Sequence, residues 1–486
     1  MSLAPAFGQA PTPATSRPRD LGGAPPFSST AEVDGRDLTV TVDGHVPAWL
    51  EGDLLRTAPA VFERDTAHGR FEVQHWFDGL GMLYRFRFAP GGVSYRQRLL
   101  ATDAERAARA GRVDQATWAT PIQRSALRRL LAPLPALTDN TNVNVLRFGG
   151  DLVALTETTA QWAVDPETLA VTHRLAYRDE LGAMPMIAHA HHDFERDVIV
   201  NVALQYGRRN AVVVYEHAAA ARTRRVVGRI PCGRVPYVHG FGLTPRHAVV
   251  YGHPCDVNPM SMLWSNAGFV DHLRWDGTRP TQLHLVDRAT GAIRTHLAPT
   301  GFMFHVVNAF EDGSDTMLDA VVYPDASVHD GLRRAALLAH GLPHLSPQVV
   351  RYRMTPGREH ATREVLDADG FEFPIIRYRE RNGRRHGVTW GARLTGGHEP
   401  RATLVRHGDD GTRTLALDAG FGEPVFVARP GGGREDDGVL LTVGANPDGQ
   451  RSRLLVVAAD TLAVLATATV ATPIPLGFHG SFFTRR

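Results

Sequence analysis

What limits the fold most is the spacing of the apolar residues. From about residue 37 onward they come in short runs broken by Gly, Asp, Asn and Pro, as in LTVTVDG, DLVALTE, DVIVNVAL, NAVVVYEH and HAVVYGH. GMLYRFRFAPGGVSYRQRLL adds two alternating runs around an Ala-Pro-Gly-Gly turn. Runs of this length with a period of two read as β-strands, and few stretches carry the 3.6-residue period of a helix. The chain is therefore expected to be all-β. A weak echo recurs as VDPETLAV, VDRATGAI and AADTLAV, each a strand, a tight Asp/Thr turn and the next strand. Reuse of one small hairpin at distant points is what propeller blades need. The spacing is irregular, however, and WD and kelch signatures are absent, so periodicity by itself does not establish a propeller.

Composition narrows the chemistry. With 43% hydrophobic and 21% charged residues the chain can build a sizeable core. Its 53 basic and 51 acidic residues are interspersed, which argues against a nucleic-acid platform built on a basic stripe. Every basic residue is arginine. Schiff-base catalysis on lysine and a Walker-type phosphate loop are thereby excluded. Cys232 and Cys255 fit reduced thiols of a cytosolic protein better than a disulfide framework. The opening MSLAPAFGQAPTPATSRPRD has neither the charged start nor the apolar run of a signal peptide, and its composition predicts a mobile arm over residues 1–30. No stretch approaches the roughly 20 apolar residues of a membrane span. A soluble chain is expected, in contact with a membrane at most from its surface.

Helical pattern is clearest in an insert over about 103–137, where Leu127, Leu130, Leu131 and Leu134 share a face beside Arg124, Arg128 and Arg129. By pattern alone a cap packed on the sheet core is the simpler reading; an interfacial membrane helix is the other. NPMSMLWSNAGFVDHL, with Met260, Met262, Leu263, Trp264 and Phe269, forms a second apolar segment.

Most of the 23 histidines must be structural or exposed. Four share a context: His189 in MPMIAHAHHDF, His239 in VPYVHGFGLTP, His305 in GFMFHVVNAFED and His479 in PLGFHGSF. Each follows apolar residues at a strand end or turn. They lie 50, 66 and 174 residues apart, too far for one local motif, and the spacing suits a metal site on a central axis fed by different blades. Glu157, Glu372 and Glu423 lie among apolar or small residues, where an unpaired carboxylate is costly to bury. A natural partner is the Nδ1–H of a metal-bound imidazole; surface glutamates at strand ends are the bland alternative.

At this point the chain resembles the carotenoid cleavage oxygenases. The resemblance rests on HWFDGLGML, TDNTNVNV, TETTAQWAVDPETL, AHAHHD, YVHGFGLTP, FHVVNAFED, FEFP, EPVFV, EDDGV and GFHG, in the family's order over about 450 residues. It implies one catalytic domain over 31–486, a seven-bladed β-propeller with a helical cap and one Fe(II) on its axis. His189, His239, His305 and His479 would be the ligands. Glu157, Glu372 and Glu423 would orient His239, His305 and His479 in turn, leaving His189 without a carboxylate. His75, His191 and His192 fall outside ligand positions and read as structural.

The implied reaction inserts both atoms of O2 across a conjugated C=C bond to give two carbonyl products, with an apolar polyene as substrate. Thr156, Phe304 and Phe478 are expected in the pocket. Family members that cleave stilbenes grip a phenol oxygen with a lysine before the first of these glutamates and with an earlier tyrosine. Here Thr156 holds the first position, and Leu99 or Leu100 falls where the tyrosine would stand. That favours a carotenoid or apocarotenoid, with retinal-like aldehydes as products. The motifs look closest to the branch of the β-carotene central oxygenases and the retinoid isomerohydrolase; the latter's animal relatives carry PDPCK where this chain has ATPIQ, which favours the oxygenase. A propeller that binds carotenoid without chemistry is a third reading. The family prior also shifts the apolar patch of Leu127, Leu130, Leu131, Leu134, Leu263 and Trp264 towards peripheral membrane contact of a cytoplasmic protein.

Overall fold

Strands dominate the computed structural model, which describes residues 27–30, 35–179, 181–182, 184–445 and 450–484. Five of the sheets are four-stranded and antiparallel. Four of these are simple meanders. The fifth joins Phe241–Leu243, His247–Gly252, Thr281–Asp287 and Ile293–Ala298, and is interrupted by an excursion that forms part of a small three-stranded sheet. A nine-stranded sheet joins the two ends of the chain. Within it Asp37–Gly44 pairs with Val464–Val470 on one side and Gly92–Leu99 on the other. The last strand, Gly480–Phe483, lies against Gly52–Val61 with Gly480 opposite Arg56.

Apolar residues on both faces of the sheets hold the arrangement together. Phe148 and Leu155 pack with Ile199. Val214 and Val227 share a cluster with Val250 and Val286, and Leu283 and Leu285 with Leu318 and Tyr352. Val321 and Val349 meet Phe371 and Val405; Trp390 and Leu404 meet Leu440 and Leu455. Leu441 and Leu454 join Tyr84 and Phe86, and Leu55 and Leu83 return to Val145 and Leu152. The succession ends at the sheet where it began, so the sheets surround an axis. Each fully buried side chain of this size contributes about 1.5–3 kcal/mol, which makes burial between sheets the dominant stabilising term.

The sequence echo is a real structural repeat. In VDPETLAV the Asp165 carboxylate accepts from the N–H groups of Glu167 and Thr168, and Leu169 N–H donates to the Asp165 carbonyl. In VDRATGAI, Asp287 accepts from Ala289 and Thr290, and Gly291 closes the turn onto the Asp287 carbonyl. AADTLAV closes in the same way, from Leu462 to Ala458. The closing residue has positive φ in all three, 59° at Leu169, 74° at Gly291 and 60° at Leu462.

Two expectations need correction. Residues 1–26 of the expected arm lie outside the described residues, but Phe27 is buried against Trp76 and Thr30 N–H donates to the Ala60 carbonyl, so 27–30 are held down. The insert at 103–137 is largely irregular, with two short helices, Asp103–Arg109 and Ala126–Leu131. The second buries none of its residues, so it is no cap packed on the core. Leu127, Leu130, Leu131 and Leu134 are 66%, 71%, 76% and 52% exposed. Trp264 is exposed beside them, its N–H bonded to the Pro133 carbonyl. Among the described residues no helix is long and apolar enough to cross a membrane. Cys232 and Cys255 are both free thiols.

Candidate metal centre

The four histidines converge from edge strands of four different sheets. His189 and His239 each stand two residues ahead of a short strand, His191–Asp193 and Phe241–Leu243. His479 immediately precedes the last strand. His305 lies inside Phe302–Asp312, where pairing slips between Met303 and Val306; such irregularities re-aim a side chain. One nitrogen from each ring falls within 4.8 Å of the others. Nε2 of His189 is 3.0 Å from Nε2 of His239, and Nε2 of His305 is 3.3 Å from that of His479.

Glu157 and Glu372 come from sheets that carry none of these histidines, and Glu423 from the edge of the nine-stranded sheet opposite the one that carries His479. Glu157 follows Asp151–Leu155, Glu372 opens Glu372–Ile375, and Glu423 stands two residues ahead of Val425–Ala428. Nδ1 of His239 donates to Glu157 at 2.6 Å, Nδ1 of His305 to Glu372 at 2.5 Å, and Nδ1 of His479 to Glu423 at 2.8 Å. These are the pairings the sequence resemblance implies. Glu372 also accepts from the Tyr323 hydroxyl at 2.5 Å and from Phe373 N–H at 3.1 Å. Burial alone would raise Glu372 and Glu423; the facing imidazoles His305 and His479 outweigh it and bring both carboxyls below their ordinary value. An ionised carboxylate only accepts, so the proton sits on Nδ1 and each Nε2 presents a lone pair.

The lone pairs of His305 and His479, facing each other at 3.3 Å, repel unless a cation lies between them. Two nitrogens bound at right angles about 2.1 Å from one ion would lie roughly 3 Å apart. An all-imidazole set of this kind suits a borderline transition metal. Burial, followed by the neighbouring imidazoles, drives His189 well below its usual value, and burial lowers His479 against the pull of Glu423. Both are therefore neutral, as ligands must be. His75 and His191 are satisfied elsewhere: His75 bonds the His329 carbonyl, and His191 the Phe241 carbonyl and the Tyr378 hydroxyl. His192 pairs with Asp197.

Beside the cluster opens a cavity of about 1340 Å³ whose lining includes His239, His305 and His479. Thr156, Phe304 and Phe478 line it as expected, with Trp76, Phe77 and Trp118. Phe77 touches both Phe304 and Phe478 edge to face, at 6.2 and 5.4 Å between centroids. Leu134, Met260 and Leu263 also line it, which joins the apolar patch to the cavity. Leu99 and Leu100 do not: Leu100 is 1% exposed in the cluster with Leu83, and Leu99 packs at its edge of the sheet. Sequence reading missed Tyr237 and Tyr323, whose hydroxyls reach Glu157 and Glu372, and Arg56 under Glu423. Nothing local marks them, since their partners are 49 to 367 residues away.

A ring of sheets brings together four imidazoles, three of them backed by carboxylates, in an arrangement that could hold a metal ion. A family model described as Retinal pigment epithelial membrane protein matches residues 27–484, and the chain belongs to this carotenoid oxygenase family. It is 30% identical to the mitochondrial carotenoid-cleaving dioxygenase of Pongo abelii, over 96% of this chain and 95% of that one. Identity to the β,β-carotene 15,15'-dioxygenase of Mus musculus is 26%, over 94% and 91%. Among solved structures, a cobalt-substituted apocarotenoid oxygenase of Synechocystis superposes with a TM-score of 0.81 at 24% identity, over 95% of this chain and 98% of that one. That likeness establishes the all-β fold.

Proposed function

We propose that this protein is an Fe(II)-dependent dioxygenase that cleaves one conjugated C=C bond of a carotenoid or apocarotenoid with O2. The observation that carries the reading is the four-imidazole, three-carboxylate cluster beside a large aromatic-walled cavity. Both atoms of O2 enter the products, one on each carbon of the broken double bond, so two carbonyl compounds form and no further reductant is needed. The bound iron would supply the redox chemistry that joins O2 to the alkene.

The protein's own contribution is placement. Glu157, Glu372 and Glu423 lock three imidazoles in one tautomer and orientation. Phe77, Phe304 and Phe478 form an interlocked wall that holds an apolar chain beside them and keeps water out. A stilbene-cleaving activity loses support because no lysine exists anywhere in the chain to grip a phenolate. We read the fold as seven blades, counting the nine-stranded sheet as two joined by Asp37–Gly44; on that count four blades each give a histidine and the other three a glutamate. We also read the exposed leucines and Trp264, contiguous with the cavity lining, as the contact through which a cytoplasmic protein takes its substrate from a membrane surface.

His305→Ala tests the core of this reading. It should abolish both stoichiometric iron binding and aldehyde formation. Retention of aldehyde formation would refute the assignment.

A further inference from the structure

Arg56 is 1% exposed. It sits on Gly52–Val61, the strand that receives the end of the chain. Its Nη1 donates to the Glu423 carbonyl at 2.5 Å and its Nη2 to the Phe478 carbonyl at 2.7 Å. Nη2 also lies 3.9 Å from the Glu423 carboxylate. One guanidinium thus grips both the residue that fixes His479 and the peptide that carries it, although Glu423 and His479 are 56 residues apart. Thr57 completes the seam, its N–H bonded to the His479 carbonyl at 3.1 Å.

Two glycines make room for this contact. A Cβ on Gly480 would come 2.2 Å from Arg56 Cγ, and one on Gly422 would come 3.2 Å from Nη2. The Gly that follows His479 in GFHG and the Gly that precedes Glu423 in GFGEP are therefore the walls of an arginine socket. The other two carboxylates differ. Glu372 is bonded by the neutral Tyr323 hydroxyl and Glu157 by the neutral Tyr237 hydroxyl. Among the described residues, Glu423 alone of the three has an arginine within 4 Å.

The geometry points to Arg56 as a positioning residue for the His479 corner of the metal centre, with two effects. Its fork fixes where Glu423 and His479 stand, and its charge draws on Glu423 so that His479 is a weaker donor than His239 or His305. This inference rests on the metal reading of the four-histidine cluster. A guanidinium fork is suited to such a grip, whereas an ammonium offers the charge without the fork.

The test uses the full-length protein loaded anaerobically with Fe(II). Affinity is read by chelator competition, and the ferric/ferrous midpoint potential by redox titration. R56K keeps the charge and loses the fork, so affinity should fall about tenfold with the potential close to that of the unsubstituted protein. R56M loses both, so affinity should fall about 10–100-fold and the potential should move to more negative values. R56K covers the case in which R56M does not fold. Unchanged affinity in R56K would overturn the positioning role. An unchanged potential in a folded, iron-loaded R56M would overturn the electrostatic role. Failure of the unsubstituted protein to bind iron would instead overturn the metal reading.

Discussion

Replacing Leu130 and Leu131 together by Asp should detach the protein from phospholipid vesicles while leaving its metal centre untouched. The two side chains are 71% and 76% exposed on a helix that buries none of its residues. Full burial of a leucine contributes about 1.5–3 kcal/mol, so at these exposed fractions the pair would supply about 3 kcal/mol on entering a bilayer interface. At about 1.4 kcal/mol per tenfold, that is on the order of a hundredfold in partitioning. Two carboxylates at the same positions add a dehydration cost, so a hundredfold is the lower bound. Sedimentation with vesicles across a lipid titration reads the shift directly. Iron content and the thermal unfolding midpoint should stay where they were, because both side chains are largely exposed and their helix buries none of its residues. Superimposable binding curves would refute the argument, and loss of iron would show that the helix supports the site in some other way.

Two further outcomes follow from the geometry. Glu372→Gln removes the negative charge and one of the two acceptor oxygens that serve His305 and the Tyr323 hydroxyl; iron affinity should fall about 10–100-fold by chelator competition, and an unchanged value would contradict the orienting role. The apoprotein should lose stability in acid. Burial holds His75 and His253 neutral, pushing each from the ordinary 6.5 down to about 4. A lowered native value means the stabilisation is complete above pH 6.5 and is lost as pH falls towards 4, where the unfolded chain takes up protons and the native one does not. By pH 5 each group should cost about 2 kcal/mol; denaturant midpoints that stay level between pH 7 and 5 would contradict this.

The strands and the pairing of His239, His305 and His479 with their glutamates were legible because each is written in a contiguous motif. YVHG, FHVVN, FEFP, GFGEP and GFHG name their residues locally, and the family's order says which meets which. The Asp/Thr hairpins were legible for a similar reason, since Asp165 and Asp287 bond residues two and three positions on. What stayed hidden depends on contacts between distant segments. Arg56 reads as one more alternating strand residue until Glu423 and Phe478 are placed beside it. Where Leu99 and Leu100 point is likewise set by tertiary packing: Leu100 enters the cluster with Leu83 and Val145, and Leu99 lies between the sheet and the cluster of Trp76, Phe304 and Phe478. The leucines of 127–134 share a helical face in the sequence, but whether that face meets the core is decided by where the insert lands.

The most direct test of the central claim is a competition assay. Iron-loaded protein in mild detergent, under O2, receives β-carotene, an apocarotenal and a hydroxystilbene together, and mass spectrometry reads the aldehydes. The account predicts retinal or shorter apocarotenals, each aldehyde taking one oxygen atom from labelled O2. Hydroxybenzaldehyde alone, or no aldehyde from protein that holds its iron, would contradict it.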